Sequence, residues 1–416
     1  MKKEKVLKFI FFPIIIFSLS ACIEEFEAET QGLETLLVVD ALITDVSKNH
    51  EIQISRVFAL EAEAPTPELG ATVSVFDDQG GVYPFQETQP GLYVAQSAFA
   101  TVPGRSYQLR ITTTDGKSYG STEVRAPENV PVGDINPQRI INDEGQEGVG
   151  VFLDYPSNGE DPYFFRYEFD ETYKIIAPRW EPFRFEVVRY EPCFPDPFVV
   201  DIVTWEDERR TCFGSRSSER FIQASSVDLD GNSIENFQLH FLSRDNYIIS
   251  HRYSINVTQF TQTQDAYSFY ERLLDFSSTP DIFSQVQPGF LEGNINQLTN
   301  AEERVLGYFE VASVSEKRMY FNYQDLFPGE PLPPYASNCE TFGNPRLVPP
   351  GYTCYGLGDC EQNCDSALIE LILANEVVFA SQKEDDPLGP YYTWPTPCGD
   401  CTQLGSNVTP EFWSEE

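Results

Sequence analysis

Cysteines are the residues whose spacing most clearly indicates chemistry in this chain, and Cys22 comes first. It directly follows Leu19-Ser20-Ala21, after a basic start and an apolar run over residues 9–19. Basic, apolar and small residues in this order are typical of a secretory signal peptide. A cysteine at the cleavage point predicts a bacterial lipoprotein with acyl chains such as palmitate on Cys22. The alternative is an ordinary secretory signal that precedes a cysteine by chance.

The apolar run is too short to cross a bilayer, which takes about 20 apolar residues. We therefore expect residues 1–21 to be removed as a signal peptide and Cys22 to hold the chain at the outer membrane through lipid. Each acyl CH₂ in the bilayer contributes about 0.8 kcal/mol, so two or three chains suffice. Residues 22–34 would form an acidic tether. Its Glu24, Glu25 and Glu27 resemble the export signal that sends Bacteroidota lipoproteins to the cell surface.

Eight further cysteines remain after the anchor, an even number in an oxidising compartment, which predicts up to four disulfides. The Cys360-Cys364 and Cys398-Cys401 spacings also resemble a four-thiolate zinc site or a redox pair, but oxidation favours disulfides, and we expect neither metal nor cofactor. Cys193 and Cys212 are the expected local pair. Cys398 would bond either to Cys401 or to a cysteine of the 339–364 group. The disulfide candidates are Cys193, Cys212, Cys339, Cys354, Cys360, Cys364, Cys398 and Cys401.

Charge and motif content argue against several classes of function. The formal net charge of -37 excludes nucleic acid as a partner, because no basic stripe is present to displace counterions. The chain contains three histidines, His50, His240 and His251, none in a recognisable catalytic motif. We therefore expect no enzyme activity and assign no catalytic residue, although the many carboxylates leave a hydrolase open as an alternative.

Hydrophobic periodicity predicts a mainly β fold. Residues 35–128 read as about seven short strands with turn signals between them, typical of an immunoglobulin-like β-sandwich. Residues 129–335 predict a larger antiparallel β-rich domain with a packed helix near 264–275, whose apolar residues recur at helical spacing. Residues 336–416 are rich in cysteine, proline and aromatic residues and predict a disulfide-stapled region packed on the second domain.

Five aromatic residues accompany prolines in this last part of the chain. Rigid, exposed rings of this kind stack on sugar or peptide faces, so we consider them a speculative binding surface, with burial under long loops as the alternative. The five residues are Tyr335, Tyr352, Tyr391, Tyr392 and Trp394.

Asp365-Ser366-Ala367 fits a short glycosylation pattern of Bacteroidota secreted proteins.

Several blocks together resemble a Bacteroidota family of outer-membrane lipoproteins, a domain of unknown function whose genes commonly stand beside TonB-dependent receptors. The resemblance covers nearly all of the mature chain. It implies an accessory role at a receptor and no catalytic residues. The blocks are Leu37-Val38-Val39-Asp40 with Leu42-Ile43-Thr44, Gly70-Ala71 to Asp77-Asp78, Gly293-Asn294-Ile295, Val305-Leu306-Gly307-Tyr308-Phe309, Cys398-Gly399-Asp400-Cys401-Thr402 and Pro410-Glu411-Phe412-Trp413.

The sequence therefore predicts a surface-exposed outer-membrane lipoprotein that acts as a non-enzymatic accessory or ligand-capture component of a TonB-dependent uptake system. The alternatives are an extracellular glycan or peptide hydrolase and a structural envelope component. An aromatic-lined pocket would favour binding, and convergent carboxylates with raised pKa values would favour the enzyme. A featureless surface would favour the structural role.

Overall fold

A computed structural model describes residues 36–57, 65–156, 161–192, 197–227, 229, 232–278, 291–300, 302–349 and 364–415. The fold is mainly β, with 48% of residues in strands and 10% in helices, as the sequence predicts. The strands are β1 (Leu36–Thr44), β2 (Glu51–Val57), β3 (Thr66–Pro67), β4 (Thr72–Asp77), β5 (Val82–Gln89), β6 (Leu92–Ala95), β7 (Ser106–Thr112), β8 (Ser118–Ser121), β9 (Val124–Arg125), β10 (Asp134–Ile141), β11 (Glu147–Tyr155), β12 (Phe164–Ile176), β13 (Phe183–Tyr190), β14 (Phe198–Thr204), β15 (Thr211–Ser217), β16 (Ile222–Ser225), β17 (Ile234–Ser243), β18 (Arg252–Thr261), β19 (Ile295–Gln297), β20 (Val305–Asn322), β21 (Val377–Gln382) and β22 (Tyr391–Pro395). The helices are α1 (Gln264–Ser278), α2 (Tyr323–Leu326), α3 (Ala367–Leu373) and α4 (Thr396–Gly399), with 3₁₀ turns at Tyr247–Ile249 and Cys401–Gln403.

One long strand, β20, joins the two halves of a 15-stranded sheet. Twelve of its strands follow the order β15-β12-β18-β20-β1-β2-β6-β5-β4-β7-β8-β19, and β16, β3 and β9 pair beside them with β12, β2 and β7. The first part of β20, from Val305 to Ala312, pairs in parallel with β1. The second part, from Ser313 to Asn322, pairs antiparallel with β18. The sheet therefore crosses the boundary predicted near residue 128. Whether the regions on either side fold as separate domains stays a prediction.

The N-terminal part of this sheet curls around its own core, because β19 at one end returns to β20. The side chain of Asn294 joins the two strands: its amide nitrogen donates to the Phe309 carbonyl at 2.9 Å, and its oxygen accepts from the Phe309 N–H at 2.8 Å. Alternating side chains of β1, β2, β4 and β7 fill the interior, as period-two burial requires. The curled sheet is therefore closed by a side chain that takes the place of a strand partner.

A smaller sheet with the order β10-β11-β17 packs on the other half of the large sheet. Val149 and Val151 from β11 and Leu239 and Leu242 from β17 meet apolar side chains of β12 and β18 in a second core. The helix predicted near 264–275 is confirmed as α1. Its N-terminus is capped by the Thr263 hydroxyl, which accepts from the Ala266 N–H at 3.2 Å.

The C-terminal region forms a third, smaller cluster. The hairpins β13–β14 and β21–β22 and the helix α3 enclose Phe185, Val200, Leu368, Ile369 and Tyr391. None of the helices in the described part of the chain is long and apolar enough to cross a membrane.

Candidate functional site

Two disulfides fasten the C-terminal region to the rest of the protein. Cys212 on β15 is bonded to Cys401, 189 residues away, and Cys339 is bonded to Cys398, 59 residues away. Cys364 is also disulfide-bonded. Links over such long separations remove much chain entropy from the unfolded state, typically about 2–5 kcal/mol each.

These bonds confirm disulfides but correct one predicted pair. Cys212 bonds to Cys401, so the expected local pair of Cys212 with Cys193 is wrong. Sequence proximity favoured Cys193, whereas the fold brings the 3₁₀ turn that starts at Cys401 against β15, where Ser406 and Phe213 also pair. Cys398 bonds to Cys339, which is the cross-paired alternative. The remaining candidates Cys193, Cys354 and Cys360 lie outside the described residues.

Three rings and a guanidinium form a cluster beside the Cys339–Cys398 bond, in which Phe342 and Arg179 are exposed and Tyr392 and Trp394 are half-buried. The Phe342 ring meets the Tyr392 ring edge-on at 4.8 Å and the Trp394 ring at 5.6 Å between centroids. The Arg179 guanidinium lies over the Trp394 ring at 4.8 Å. We call Phe342, Tyr392, Trp394 and Arg179 the aromatic surface. Phe342 is 55% exposed, which is unusual for so large an apolar side chain.

Backbone contacts hold the aromatic surface in place. Gly343 and Thr393 exchange N–H···O=C bonds of 2.8 and 2.9 Å, so the segment with Phe342 adds to β22. The Asn344 amide donates to the Tyr391 carbonyl at 2.7 Å, and Arg179 Nε donates to the Cys339 carbonyl at 3.0 Å. These bonds fix the rings before any partner arrives, which reduces the entropy lost on binding.

A groove of about 460 Å³ opens beside the Phe342 ring and is also lined by Leu371 and Val377. Leu373, the last residue of α3, is also 61% exposed. Exposed apolar side chains around a groove are typical of interaction sites.

The five predicted aromatic residues are divided by the structure. Tyr392 and Trp394 belong to the aromatic surface, and Tyr352 lies outside the described residues. Tyr391 is buried in the third core. Tyr335 is half-buried against the second core, and its hydroxyl donates to the Pro397 carbonyl at 3.0 Å. Tyr391, Tyr392 and Trp394 lie on a strand, not on a loop, so period-two alternation sends Tyr391 inward.

The other predicted sites give two further outcomes. Cys22, Glu24, Glu25 and Glu27 lie outside the described residues, so lipidation and export stay predictions. Ser366 in the glycosylation pattern is fully buried, and its hydroxyl caps α3 by accepting from the Ile369 N–H at 3.2 Å. A sugar on this oxygen would displace the cap, so the glycosylation hypothesis is wrong for the folded chain.

Two buried carboxyl groups, those of Glu171 and Glu310, make contacts that join elements of the fold. Glu171 on β12 accepts from the Tyr253 hydroxyl and contacts His240 Nε2 at 3.1 Å. Burial alone would raise the pKa of Glu171, but the contacts with His240 and Tyr253 outweigh it and lower that pKa. Burial raises the pKa of Glu310, which is 1% exposed and accepts from Gln262 Nε2 at 2.7 Å. Both carboxyl groups join elements of the fold, and Glu310 lies too deep to meet a substrate.

Phe342 and Arg179 are not among the residues predicted from the sequence. Phe342 had a weak signal, since it stands near Cys339 and before Gly343 in the proline-rich region. Arg179 had none, because 215 residues separate it from Trp394, whose ring it covers.

Comparison with known proteins places the chain in a family. Among curated proteins none matches it. A model described as Domain of unknown function (DUF4249) matches residues 23–318, which is more than half of the chain. The match includes the closure at Asn294 but ends before the segment that carries Phe342, Tyr392 and Trp394. The chain therefore belongs to the DUF4249 family of domains of unknown function.

Proposed function

We propose that this protein is a non-enzymatic outer-membrane lipoprotein, anchored through Cys22 at the cell surface, that binds a partner or ligand for a TonB-dependent uptake system. The anchor rests on the residues before Cys22, and the uptake system rests on the resemblance to Bacteroidota lipoproteins. Binding rests on the aromatic surface.

The aromatic surface is the observation that carries this proposal. Phe342, Tyr392 and Trp394 combine the features of energetic anchors at interfaces: large rings, a stacked guanidinium and a rigid backbone. Truncating such anchors costs about 2 kcal/mol or more of binding free energy. The groove beside the rings offers room for an apolar side chain or a sugar ring.

The hydrolase alternative has less support. Glu171 and Glu310 are both engaged in buried contacts, and Glu171 has a lowered pKa, whereas a general acid needs a raised pKa and access to substrate. The structural alternative does not account for the exposed Phe342 ring beside a groove.

Co-purification and fractionation from native membranes are the simplest tests of the proposal. After mild detergent extraction, the tagged chain should co-purify with a TonB-dependent receptor at near-stoichiometric yield. Cys22→Ala should release the chain from carbonate-washed membranes, because the anchor is expected to be lipid alone. A control variant, Ser20→Gly, keeps a small residue before the cysteine and should stay bound. A Cys22→Ala variant that remains in the membrane, or a complex without a receptor, would contradict the proposal.

A further inference from the structure

A cleft runs along the outer edge of β17, far from the aromatic surface in sequence. One wall consists of residues 238–241 of β17, and the facing wall consists of residues 220–223 at the start of β16. Tyr267 and the carboxylate-bearing residues Glu271 and Asp275 of α1 close one side, whereas Arg220 lies on the wall that faces β17. The cleft encloses about 460 Å³. A second cavity of about 520 Å³ adjoins it and shares Arg220 and His240.

The free edge of β17 is bent by a bulge but carries neither proline nor a basic residue. Within the described residues, β17 pairs with β11 along one edge and with no strand along the other. Proteins protect exposed edges with proline or basic residues. The opposite edge strand of the same sheet, β10, carries Pro137 and Arg139, whereas Ile234–Ser243 contains no proline, lysine or arginine.

Two buried polar atoms on residues that line the cleft lack partners. Gln223 Oε1 and His240 Nδ1 have no hydrogen-bond partner among the described residues. The nitrogen of the same Gln223 amide is satisfied, since it donates to Gln262 Oε1 at 2.9 Å. A buried polar atom without a partner destabilises a protein by about 1–3 kcal/mol, so a bound group that reached these two atoms would gain hydrogen bonds.

β17 is held rigidly enough to act as a template. His240 on this strand contacts Glu171 of the large sheet at 3.1 Å, and Leu239 and Leu242 are each 2% exposed in the core. A bulge between Gln238 and His240 bends the strand at the cleft. Bulges of this kind often re-aim side chains next to binding sites.

We propose that the cleft binds an extended peptide segment, which adds to β17 as a further strand and places an acidic side chain against Arg220. The four cleft residues of β17 span roughly 13 Å at about 3.3 Å per residue, so the segment needs four or five residues in contact. Arg220 is exposed and forms no ion pair with any described carboxylate, so it is available to an acidic side chain. Backbone pairing supplies the affinity and Arg220 the preference, as in other strand-addition complexes.

A displayed library of random decapeptides, selected on the full chain in detergent, tests this inference. Enriched peptides should be β-prone and carry Asp or Glu. Their dissociation constants, measured by fluorescence anisotropy, should rise at least tenfold for Gln238→Glu, because a carboxylate in the cleft repels the acidic peptide. The matched control is Gln138→Glu, the same exposed residue type on the opposite edge strand, and should bind like the wild type.

Further arms separate strand addition from other modes of binding. Methylating the peptide's backbone nitrogens should abolish binding, and Arg220→Gln should weaken an acidic peptide but not its Asp→Asn counterpart. Gln238→Asp serves if Gln238→Glu lowers the melting temperature. The inference is overturned if no peptide is enriched, or if the methylated peptide or the Gln238 variants bind as well as the originals. The inference is also overturned if galacturonate oligomers bind the cleft and no peptide competes with them, because the cleft would then take an acidic sugar. None of these measurements uses the receptor, so failure here leaves the proposed function standing.

Discussion

Tyr392 and Trp394 lie on one face of β22, and Tyr391 and Thr393 lie on the other, buried face. At this scale the difference between a binding ring and a core ring is one position along the strand. The alternation was present in the sequence Tyr391-Tyr392-Thr393-Trp394. It was missed because the neighbouring prolines indicated loops.

At the residue scale, the lowered pKa of His50 predicts how the stability of the protein changes with pH. It is fully buried, with Nε2 at 3.0 Å from the Phe99 carbonyl, and burial together with nearby Lys48 lowers its pKa to about 4. Because the unfolded chain binds this proton near the ordinary pKa of 6.5, stability should fall as the pH drops from 6.5 to about 4. The loss should be at most about 1.4 kcal/mol per pH unit.

Urea unfolding of the wild type and His50→Gln at pH 7.5 and 5 checks this. The wild type should lose more stability than the variant over that interval. An equal loss in both proteins would mean that His50 is not responsible.

At the scale of elements, three blocks of the family resemblance meet at the closure of the curled sheet. Leu37 to Asp40 of β1 pairs in register with Val305 to Tyr308 of β20, and Asn294 bonds to Phe309. Gly307 has a φ of +109°, and a Cβ there would lie 1.9 Å from the Val39 carbonyl oxygen. These blocks are therefore explained by packing, and no chemistry needs to be assigned to them.

Asn294→Ala tests the closure. It should lower the free energy of unfolding by about 2–4 kcal/mol, because the buried N–H and C=O of Phe309 lose their partners. The control is Asn296→Ala, on the exposed face of the adjacent β19, which should change stability by less than about 0.5 kcal/mol. Chemical denaturation of both variants measures these changes. A similar decrease in the free energy of unfolding for the two variants would contradict the role of Asn294 in closing the sheet.

Local elements were predictable, and long-range pairings were not. The turn at Asp115-Gly116 joins β7 and β8, with Gly116 at a φ of +85°, as the sequence indicates. The helix α1 also follows its apolar spacing, although Leu273 of the predicted stripe is 44% exposed. The parallel pairing of β1 with β20 and the Cys212–Cys401 bond have no local signal, since their partners are far apart in sequence. The aromatic surface belongs to the same class, because Arg179 and Phe342 reach β22 only through the fold.

At the scale of the whole molecule, β20 belongs to both halves of the large sheet. Its Val305, Phe309 and Val311 complete the core of the curled sheet. A fragment of residues 23–128 lacks them and leaves one edge of β1 open. We expect this fragment to show no cooperative thermal transition by circular dichroism, whereas the chain from 23 to 416 should show one. A cooperative transition in the fragment would instead establish residues 35–128 as an independent domain.

The most direct test of the binding proposal compares two variants of the whole chain. Phe342→Ala combined with Trp394→Ala removes two rings of the aromatic surface, whereas Phe412→Ala removes a ring with 43% exposure on the C-terminal tail. The measurement is receptor co-purification from native membranes, with the melting temperature recorded for each protein. We expect the double variant to lose receptor association at least tenfold while its melting temperature stays within a few degrees of the wild type, and Phe412→Ala to bind normally. Undiminished association in a well-folded double variant would contradict the account.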